Sequence, residues 1–233
     1  IYSRLGNPTV GALEARLTAL EEGAMCVALS SGTSAVMYSL INIMSQGDNF
    51  VTANQLYGGT YTMFDNILPE YGIDSKKVDI TDLAAVENAI DDKTRAIYCE
   101  TITNPGLVVA DISALSEIAH SKGIPLIVDA TFTTSAILKP FEYGADIVVY
   151  SLTKWMSGHG RVIAGAVIEK GGFDWGNGNF PLYDKPDTSY GGMRWGHDLG
   201  DLGNVAYSLR LRTVPLRNLG ANMGPETAFE VLS

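Results

Sequence analysis

The sequence has few basic residues and no strongly positive segment. Sixteen Lys and Arg residues stand against 26 Asp and Glu residues among 233, which gives a formal net charge of −10. Proteins that bind nucleic acids concentrate positive charge on one face or stripe, so this balance argues against a nucleic-acid partner. We expect anions to bind only at a local basic pocket.

The sequence also lacks long apolar runs. None approaches the roughly 18 residues that a membrane-spanning helix requires, and no charged and then apolar signal segment stands at the N-terminus. We therefore expect no membrane association and a cytoplasmic location.

Cysteine and histidine are scarce. Cys26 and Cys99 lie in the apolar stretches M-C-V-A-L and A-I-Y-C-E, where a core thiol is favoured over a redox or metal-binding pair. The three histidines, His120, His159 and His197, do not have the spacing of a zinc motif. The sequence therefore predicts no metal site.

Short apolar runs alternate with helical patterns along the chain. The strand-like runs are residues 26–29, 49–53, 96–99, 126–128, 147–150 and 164–168. This alternation is typical of βαβ units and predicts an α/β fold with a mostly parallel sheet covered by helices. With 46% hydrophobic residues, the chain is expected to form one compact domain.

Helical patterns are expected at 9–22, 112–122 and 201–217. We expect Gly23 to end the first helix, and Asp111 to be the N-cap of the second. Between 171 and 200 the composition changes to Gly, Trp, Tyr, Asp and Pro, which predicts a long structured loop. Loops of this length usually carry function.

A lysine follows one of the predicted strands. In V-V-Y-S-L-T-K-W-M-S-G-H-G, the strand ends near Tyr150, and Ser151, Thr153 and Lys154 follow in the turn. Ligands of open α/β sheets bind at this end of the strands. The motif alone is also compatible with a solvated loop lysine.

Two further segments carry candidate binding groups. Asp129 ends the apolar strand of P-L-I-V-D-A-T-F, where a buried carboxylate requires a partner: a cation, a helix cap or, least favoured, a metal. In L-S-S-G-T-S-A-V, the backbone N–H groups of Gly32 and Thr33 open a helix and are able to face a phosphate. An ordinary serine N-cap explains the same motif equally well.

Together, a strand-end carboxylate, a turn lysine and a phosphate cradle are what pyridoxal 5′-phosphate requires. On these residues the chain resembles the Cys/Met-metabolism family of pyridoxal-phosphate-dependent enzymes, over essentially its whole length. The landmarks are Y-S-R-L-G-N-P-T, S-S-G-T, L-Y-G-G-T, E-T-I-T-N-P, V-D-A-T-F and S-L-T-K-W-M-S-G-H-G. The resemblance implies a seven-stranded sheet like that in the large domain of fold-type I enzymes, the aspartate aminotransferase-like class.

The resemblance implies roles around the cofactor ring. Lys154 would bind the cofactor covalently and then move protons, and Asp129 would hold the proton on the ring nitrogen. Tyr57 would stack on the ring, although a core aromatic is the alternative. Asn104 would contact the cofactor's phenolic oxygen or the substrate carboxylate, although a turn residue before Pro105 is the alternative.

For the phosphate, the resemblance implies the amides of Gly32 and Thr33 and the hydroxyls of Ser151 and Thr153. It also implies that Tyr2 and Arg4 reach in from a neighbouring subunit. The expected assembly is a homo-oligomer built from dimers whose two subunits share active sites, and a tetramer is usual in the family.

Within the family, the Trp- and Pro-rich segment after 171 resembles the O-acetylhomoserine sulfhydrylase branch. The implied reaction is γ-replacement on O-acetyl-L-homoserine by sulfide or a thiol, giving L-homocysteine and acetate for methionine biosynthesis. The alternatives are a γ- or β-lyase or cystathionine γ-synthase of the same family, or a cofactor-binding fragment without turnover. A P-loop nucleotide protein is not favoured, because no G-x-x-x-x-G-K-[ST] motif occurs.

The resemblance also divides the chain. It implies a remnant of an N-terminal arm at 1–8, a cofactor-binding domain at 9–225 and the start of an incomplete C-terminal domain at 226–233. Tyr150 and Arg161 depart from the residues usual in the family at those positions. Arg210, Arg212 and Arg217 lie in a helical stretch and are expected to be surface or interface charges.

Overall fold

A central sheet organises the computed structural model, which describes residues 2–233. Its seven strands have the order β1-β7-β6-β5-β4-β2-β3. The strands are β1 (Met25–Leu29), β2 (Asn49–Ala53), β3 (Asp74–Val78), β4 (Thr94–Glu100), β5 (Leu126–Asp129), β6 (Ile147–Ser151) and β7 (Gly165–Glu169). Only β7 is antiparallel to its neighbours, β1 and β6. The predicted seven-stranded, mostly parallel sheet is confirmed.

Helices connect and flank these strands. The α-helices are α1 (Pro8–Glu21), α2 (Gly32–Ile41), α3 (Gly58–Thr62), α4 (Leu83–Ala89), α5 (Ile112–Ser121), α6 (Thr134–Ile137), α7 (Pro181–Asp184), α8 (Ala206–Leu211), α9 (Arg217–Leu219) and α10 (Pro225–Leu232). None of the helices in 2–233 has both the length and the apolar character that crossing a membrane demands.

The sequence predicted six of the seven strands within one or two residues at each end, because their residues form continuous buried runs. It missed β3, whose sequence D-S-K-K-V is polar. This strand lies at the sheet edge and pairs only with β2. Lysines are typical of edge strands because they discourage pairing with another chain.

The helix ends follow ordinary capping rules, with one exception. The Asn7 side chain accepts from Thr9 N at 3.0 Å to start α1, and Asp111 accepts from Ala114 N at 3.0 Å to start α5, as predicted. Helix α1 ends close to Gly23, as expected, but the left-handed residue that ends it is Glu22, with φ 59°, and not the glycine. A Cβ on Gly23 would lie 2.8 Å from Ile168 Cγ2, so glycine serves close packing there.

The helix predicted at 201–217 is broken into shorter turns. A 3₁₀ segment at Gly200–Val205 precedes α8, and a π-helical segment at Arg212–Leu216 separates α8 from α9. The π-helical segment contains Pro215, which has no N–H to donate and cannot continue a regular α-helix. The sequence therefore predicted the helical character of this region but not its interruptions.

The arginines in this region do not all lie at the surface. Arg210 is buried and donates through Nη1 to Asn42 O at 2.6 Å and Asn42 Oδ1 at 3.0 Å. Arg212 is partly buried and pairs with Glu14 at 2.8 Å. The expectation is wrong for the buried Arg210, whereas Arg217 is exposed as predicted.

The predicted loop at 171–200 is structured, and its first part packs at the amino ends of the parallel strands. It begins there because the antiparallel β7 runs back across the sheet. Asn177 donates to Gly123 O at 2.9 Å, just before β5. Trp175 stacks on Tyr183 and Tyr207, both with ring centroids 5.1 Å away. A functional role for this segment stays a prediction.

A buried glutamate joins this segment to the sheet. Glu169, the last residue of β7, accepts from Trp175 Nε1 at 3.3 Å and from Ser208 N at 2.8 Å. It is only 1% exposed, and burial raises its pKa from 4.5 to about 7.

The two cysteines, Cys26 and Cys99, are buried and free, as expected of core thiols.

The raised pKa of Glu169 predicts a pH-dependent stability. The folded state holds the proton more tightly than the unfolded state, so the contribution is present below pH 4.5 and is lost as pH rises through about 7. Each pKa unit between the two states corresponds to about 1.4 kcal/mol. We expect the unfolding free energy of Glu169→Gln, taken relative to that of the original chain, to rise by about 1 to 3 kcal/mol from pH 5 to pH 8.

Urea titrations at several pH values measure this difference. Groups common to both chains cancel in the comparison, so the change with pH reports Glu169 alone. A difference that stays constant from pH 5 to 8 would show that the Glu169 carboxyl is not held protonated by burial.

Candidate cofactor site

The strand-end residues singled out by the sequence lie along one edge of the sheet. Strands β4, β5 and β6 are parallel, so their carboxyl ends lie side by side. Glu100 ends β4 directly opposite Asp129, which ends β5, and Ser151 ends β6. The Lys154 turn begins at the end of β6. The topology therefore brings the carboxylate and the amine of the candidate site to the same edge.

The backbone of the Lys154 turn is fixed by hydrogen bonds. Lys154 N donates to Ser151 O at 3.2 Å, and Gly158 N donates to Lys154 O at 2.9 Å. Thr153 Oγ1 donates to Ala164 O at 3.2 Å and accepts from Ala164 N at 3.0 Å. The Lys154 side chain is exposed and forms no ion pair with any residue in 2–233. A rigid turn thus presents an amine that no carboxylate neutralises.

Asp129 is a carboxylate without a countercharge. Its Oδ1 accepts from Thr131 N at 2.9 Å, and its Oδ2 accepts from the Tyr98 hydroxyl at 3.3 Å. Burial raises its pKa above the usual value, and the two hydrogen bonds only partly oppose that effect. Within the described chain, no Lys, Arg or His lies within 4.0 Å of it. A bound cation such as a protonated ring nitrogen would stabilise the ionised form.

The start of α2 supplies free backbone donors beside Ser151. Ser31 caps the helix: its Oγ accepts from Ser34 N at 3.0 Å, and Ser34 Oγ accepts from Ser31 N at 3.2 Å. In the described residues, the N–H groups of Gly32 and Thr33 find no acceptor. The two interpretations of the S-S-G-T motif are therefore compatible, because the cap uses the amide of Ser34 and leaves these two free.

Glycine permits the helix to start this close to the sheet. A Cβ on Gly32 would lie 2.4 Å from Ser151 Cβ, and one on Gly165 would lie 2.1 Å from Ser31 O. Neither position tolerates a side chain without movement of the backbone. The free amides and the Ser151 hydroxyl consequently share one small region. An anion placed there meets several donors and the positive end of a helix of ten residues.

Tyr57 and Asn104 lie on two loops that meet at Glu100. Tyr57 is 50% exposed, so the alternative that it is a core aromatic is wrong. Asn104 is exposed as well. Glu100 accepts from both backbones, from Tyr57 N at 2.7 Å through Oε1 and from Asn104 N at 3.1 Å through Oε2. Both side chains are thus held at the same edge and are free to contact a ligand.

Sequence analysis missed two residues of this region. Glu100 lies in E-T-I-T-N-P, and its position before that loop is the available signal. Thr131 joins two turns, because its N–H donates to Asp129 and its Oγ1 accepts from Ser151 N at 2.8 Å. Its signal is the spacing in D-A-T, where the third residue is able to reach back to the first in an Asx-turn.

Tyr2 and Arg4 belong to an arm that packs against its own chain. Both are exposed, and the Arg4 guanidinium lies 5.2 Å from the centre of the Tyr2 ring. The Asn222 side chain donates to Arg4 O, and Arg212 Nη1 donates to Leu5 O at 3.1 Å. Within 2–233, no hydrogen bond or ion pair joins Tyr2 or Arg4 to the Lys154 turn. Their contribution to a neighbouring subunit's site stays a prediction.

The two departures from the family pattern have local structural roles. The Tyr150 hydroxyl is buried and donates to Glu21 of α1. Arg161 pairs with Glu230 of α10 at 2.8 Å, and His159 Nε2 lies 3.1 Å from Glu230 O. The segment after Lys154 is therefore anchored to α10 by this pair of contacts.

The groups at this edge fit pyridoxal 5′-phosphate. An uncompensated carboxylate, an unpaired lysine and free helix-end amides match a ring nitrogen, an aldehyde and a phosphate, respectively. The fit rests on Asp129, Lys154 and the amides of Gly32 and Thr33, whose contacts are described above.

Comparison with known proteins agrees with this arrangement. An O-acetyl-L-homoserine sulfhydrylase from Leptospira meyeri is 42% identical and a homocysteine synthase from Schizosaccharomyces pombe is 44% identical, each over 100% of this chain and 54% of its own length. A Campylobacter jejuni crystal structure, of a candidate O-acetylhomoserine (thiol)-lyase with N′-pyridoxyl-lysine-5′-monophosphate, superposes with a TM-score of 0.94 and 39% identity. The match covers 100% of this chain and 57% of that one.

The chain spans about half the length of the curated relatives that it matches. The model of the Cys/Met metabolism PLP-dependent enzymes matches residues 1–233, which is the entire sequence. The chain therefore belongs to the Cys/Met metabolism family of pyridoxal-phosphate-dependent enzymes.

Proposed function

We propose that this chain binds pyridoxal 5′-phosphate through Lys154 and catalyses γ-replacement on O-acetyl-L-homoserine. Sulfide or a thiol would displace acetate and give, with sulfide, L-homocysteine. The observation that carries the proposal is the meeting of an unpaired lysine, an uncompensated carboxylate and free helix-end amides at one sheet edge. The bound cofactor would supply an electron sink for the carbon atoms that lose protons.

Lys154 is the proposed base. After substrate binding, its Nζ would take the α-proton and then move a proton from the β-carbon, which lets acetate leave Cγ with the bonding electrons. Sulfide would then form the new C–S bond at Cγ, and the protons would return to the carbon chain. Lysine suits this work because its amine forms a Schiff base with the cofactor's aldehyde and is able, when neutral, to accept a proton.

Asp129, Tyr57 and Asn104 would orient the ring. The Asp129 carboxylate would keep the ring nitrogen protonated, because a negative charge within about 4 to 6 Å of a cationic group raises the pKa of that group by about 1 to 3 units. Tyr57 would stack on the ring face with its exposed side chain. Asn104 would donate to the phenolic oxygen or to the substrate carboxylate.

The phosphate would lie at the start of α2. The amides of Gly32 and Thr33 and the Ser151 hydroxyl have no partner in the described chain that would compete, whereas the Thr153 hydroxyl must leave Ala164 O to donate. A helix end contributes only about 0.3 to 1 kcal/mol, so a dianion also requires a cation. We propose that Arg4, with Tyr2, supplies it from a second copy of the chain, in a dimer that pairs into a tetramer.

The cofactor bond gives the most direct test. We expect incubation with pyridoxal 5′-phosphate, reduction with borohydride and peptide mapping to place the label on Lys154, because its amine is unpaired beside the phosphate cradle. Lys154→Ala should lose the label, and Lys170→Ala, an exposed lysine at the other end of the sheet, should keep it. Equal labelling of Lys154→Ala and the original chain would contradict the proposal.

Asp129→Asn tests the charge at the ring nitrogen. The amide keeps the shape and the contacts to Thr131 and Tyr98 within reach but removes the negative charge. We expect turnover to fall about 10- to 1000-fold, the equivalent of 1 to 3 pKa units, while Lys154 still labels. Steady-state kinetics and the absorption spectrum of the bound cofactor measure the effect. A turnover within twofold of the original would exclude a role for this charge.

The reaction type requires product analysis. We expect acetate release from O-acetyl-L-homoserine to depend on sulfide and to match homocysteine formation mole for mole. Keto acid and ammonia from methionine or cystathionine at a comparable rate would favour a lyase instead. Labelling of Lys154 without any product would favour the alternative of a cofactor-binding module without turnover.

A further inference from the structure

We infer that Glu100 is a positioning residue, whose carboxylate holds the Tyr57 and Asn104 loops in register with each other at the cofactor edge. The inference rests on the proposed function, because it assumes that the cofactor binds at the edge where these two loops meet. Glu100 itself would touch neither cofactor nor substrate; it would act through the two backbones.

The geometry is specific to a carboxylate. Glu100 Oε1 accepts from Tyr57 N at 2.7 Å, and Oε2 accepts from Asn104 N at 3.1 Å. The two amides are separated in sequence by 47 residues and come from loops after different strands, β2 and β4. One side chain therefore joins two loops that are far apart in the sequence.

Tyr57 depends on this contact because little else fixes it. It stands at the N-cap position of α3 with φ −49° and ψ 133°, and no side chain caps that helix. Half of its surface is exposed, so packing restrains its ring weakly. The direction in which the ring leaves the backbone is consequently set by two backbone contacts of residue 57: its N–H donates to Glu100 at 2.7 Å, and its carbonyl accepts from Tyr61 N at 2.8 Å.

The same two loops touch a second time nearby. The Gln55 side chain of the first loop lies against Gly106 of the second, since a Cβ on Gly106 would be 1.5 Å from Gln55 Oε1. Tyr57 and Asn104, proposed to contact the ring and the groups around it, would lose their fixed relative position if Glu100 no longer accepted from both amides.

The surroundings of Glu100 make its replacement informative. It is 6% exposed and stands opposite Asp129 in the strand register. Burial, with a smaller contribution from the neighbouring Asp129, raises its pKa to about 7. A glutamine in its place has one acceptor and one donor, so its NH₂ group would face one of the two N–H groups and leave that amide without an acceptor.

Glu169 offers a matched control. It is also a buried glutamate at the end of a strand, it also accepts from two N–H groups, and burial also raises its pKa to about 7. It lies at the opposite end of the sheet, as β7 is antiparallel to β6. Glu100→Gln and Glu169→Gln therefore make the same chemical change inside and outside the candidate site.

The first measurement uses the protein without cofactor. We expect amide hydrogen exchange at Tyr57 or Asn104 to be at least about tenfold faster in Glu100→Gln, because a hydrogen bond that protects one of these amides is lost. Glu169→Gln should leave both rates within twofold. Unchanged protection at both amides in Glu100→Gln would overturn the inference, whatever the cofactor does.

The second measurement uses the protein loaded with pyridoxal 5′-phosphate. We expect Glu100→Gln to weaken the visible circular dichroism of the bound cofactor and to lower kcat/KM by about 10- to 100-fold, the size typical of a small misplacement. In a Tyr57→Ala, Asn104→Ala background, the same substitution should change kcat/KM by less than twofold. An equal loss in both backgrounds would mean that Glu100 acts only on overall stability, and would overturn the inference.

A second variant covers the case in which Glu100→Gln does not fold. Glu100→Asp keeps the charge but shortens the side chain by one methylene, so it cannot reach both amides, and the same exchange and dichroism changes are expected. Lys154 labelling in the original chain tests the proposed function separately. If Lys154 is not labelled but the variants show fast amide exchange, the proposed function is rejected, and the link that Glu100 makes between the two loops is still supported.

Discussion

The close approach of helix α2 to the ends of β6 and β7 determines the rest of the site. Two glycines allow it, since a Cβ at Gly32 or at Gly165 would overlap Ser151 or Ser31 O. The approach places two unused amides beside a serine hydroxyl, and Ser31 closes the helix end by capping the next amide. A phosphate bound there would fix where the ring of the ligand begins, and with it the position of the ring relative to Asp129 and Lys154.

Desolvation sets the chemistry of the same edge. Asp129 and Glu100 stand side by side at the ends of two parallel strands, and burial raises both pKa values. Their hydrogen bonds differ. Both oxygens of Glu100 accept from loop amides. Asp129 accepts from one amide and one phenol and has no countercharge among residues 2–233. A cationic ring nitrogen would therefore stabilise the ionised carboxylate of Asp129 and not that of Glu100.

The main residues of the candidate site could be predicted from the sequence, because each directly follows a strand that is itself recognisable. Asp129 follows a buried apolar run and Lys154 follows the next, so parallel topology alone brings them to one edge. Glu100 was not predicted, because its significance depends on Tyr57, which is 43 residues away and lies on another loop. Strand β3 was missed for a different reason: it lies at the sheet edge, where a strand does not need an apolar sequence, and lysines occupy its third and fourth positions.

The 171–200 segment is not isolated from the candidate site. The segment carries the pattern that resembles the sulfhydrylase branch, and its first part packs at the amino ends of the strands, where Trp175 donates to Glu169. Further along, the Tyr190 hydroxyl donates to Thr213 O at 2.6 Å and accepts from Arg217 Nη1 at 3.1 Å. The chain after Arg217 reaches the cap of α2, because Ser30 N donates to Ala221 O at 2.8 Å. The segment is therefore linked to the cofactor edge in two ways, through β7 and through the residues that follow α8.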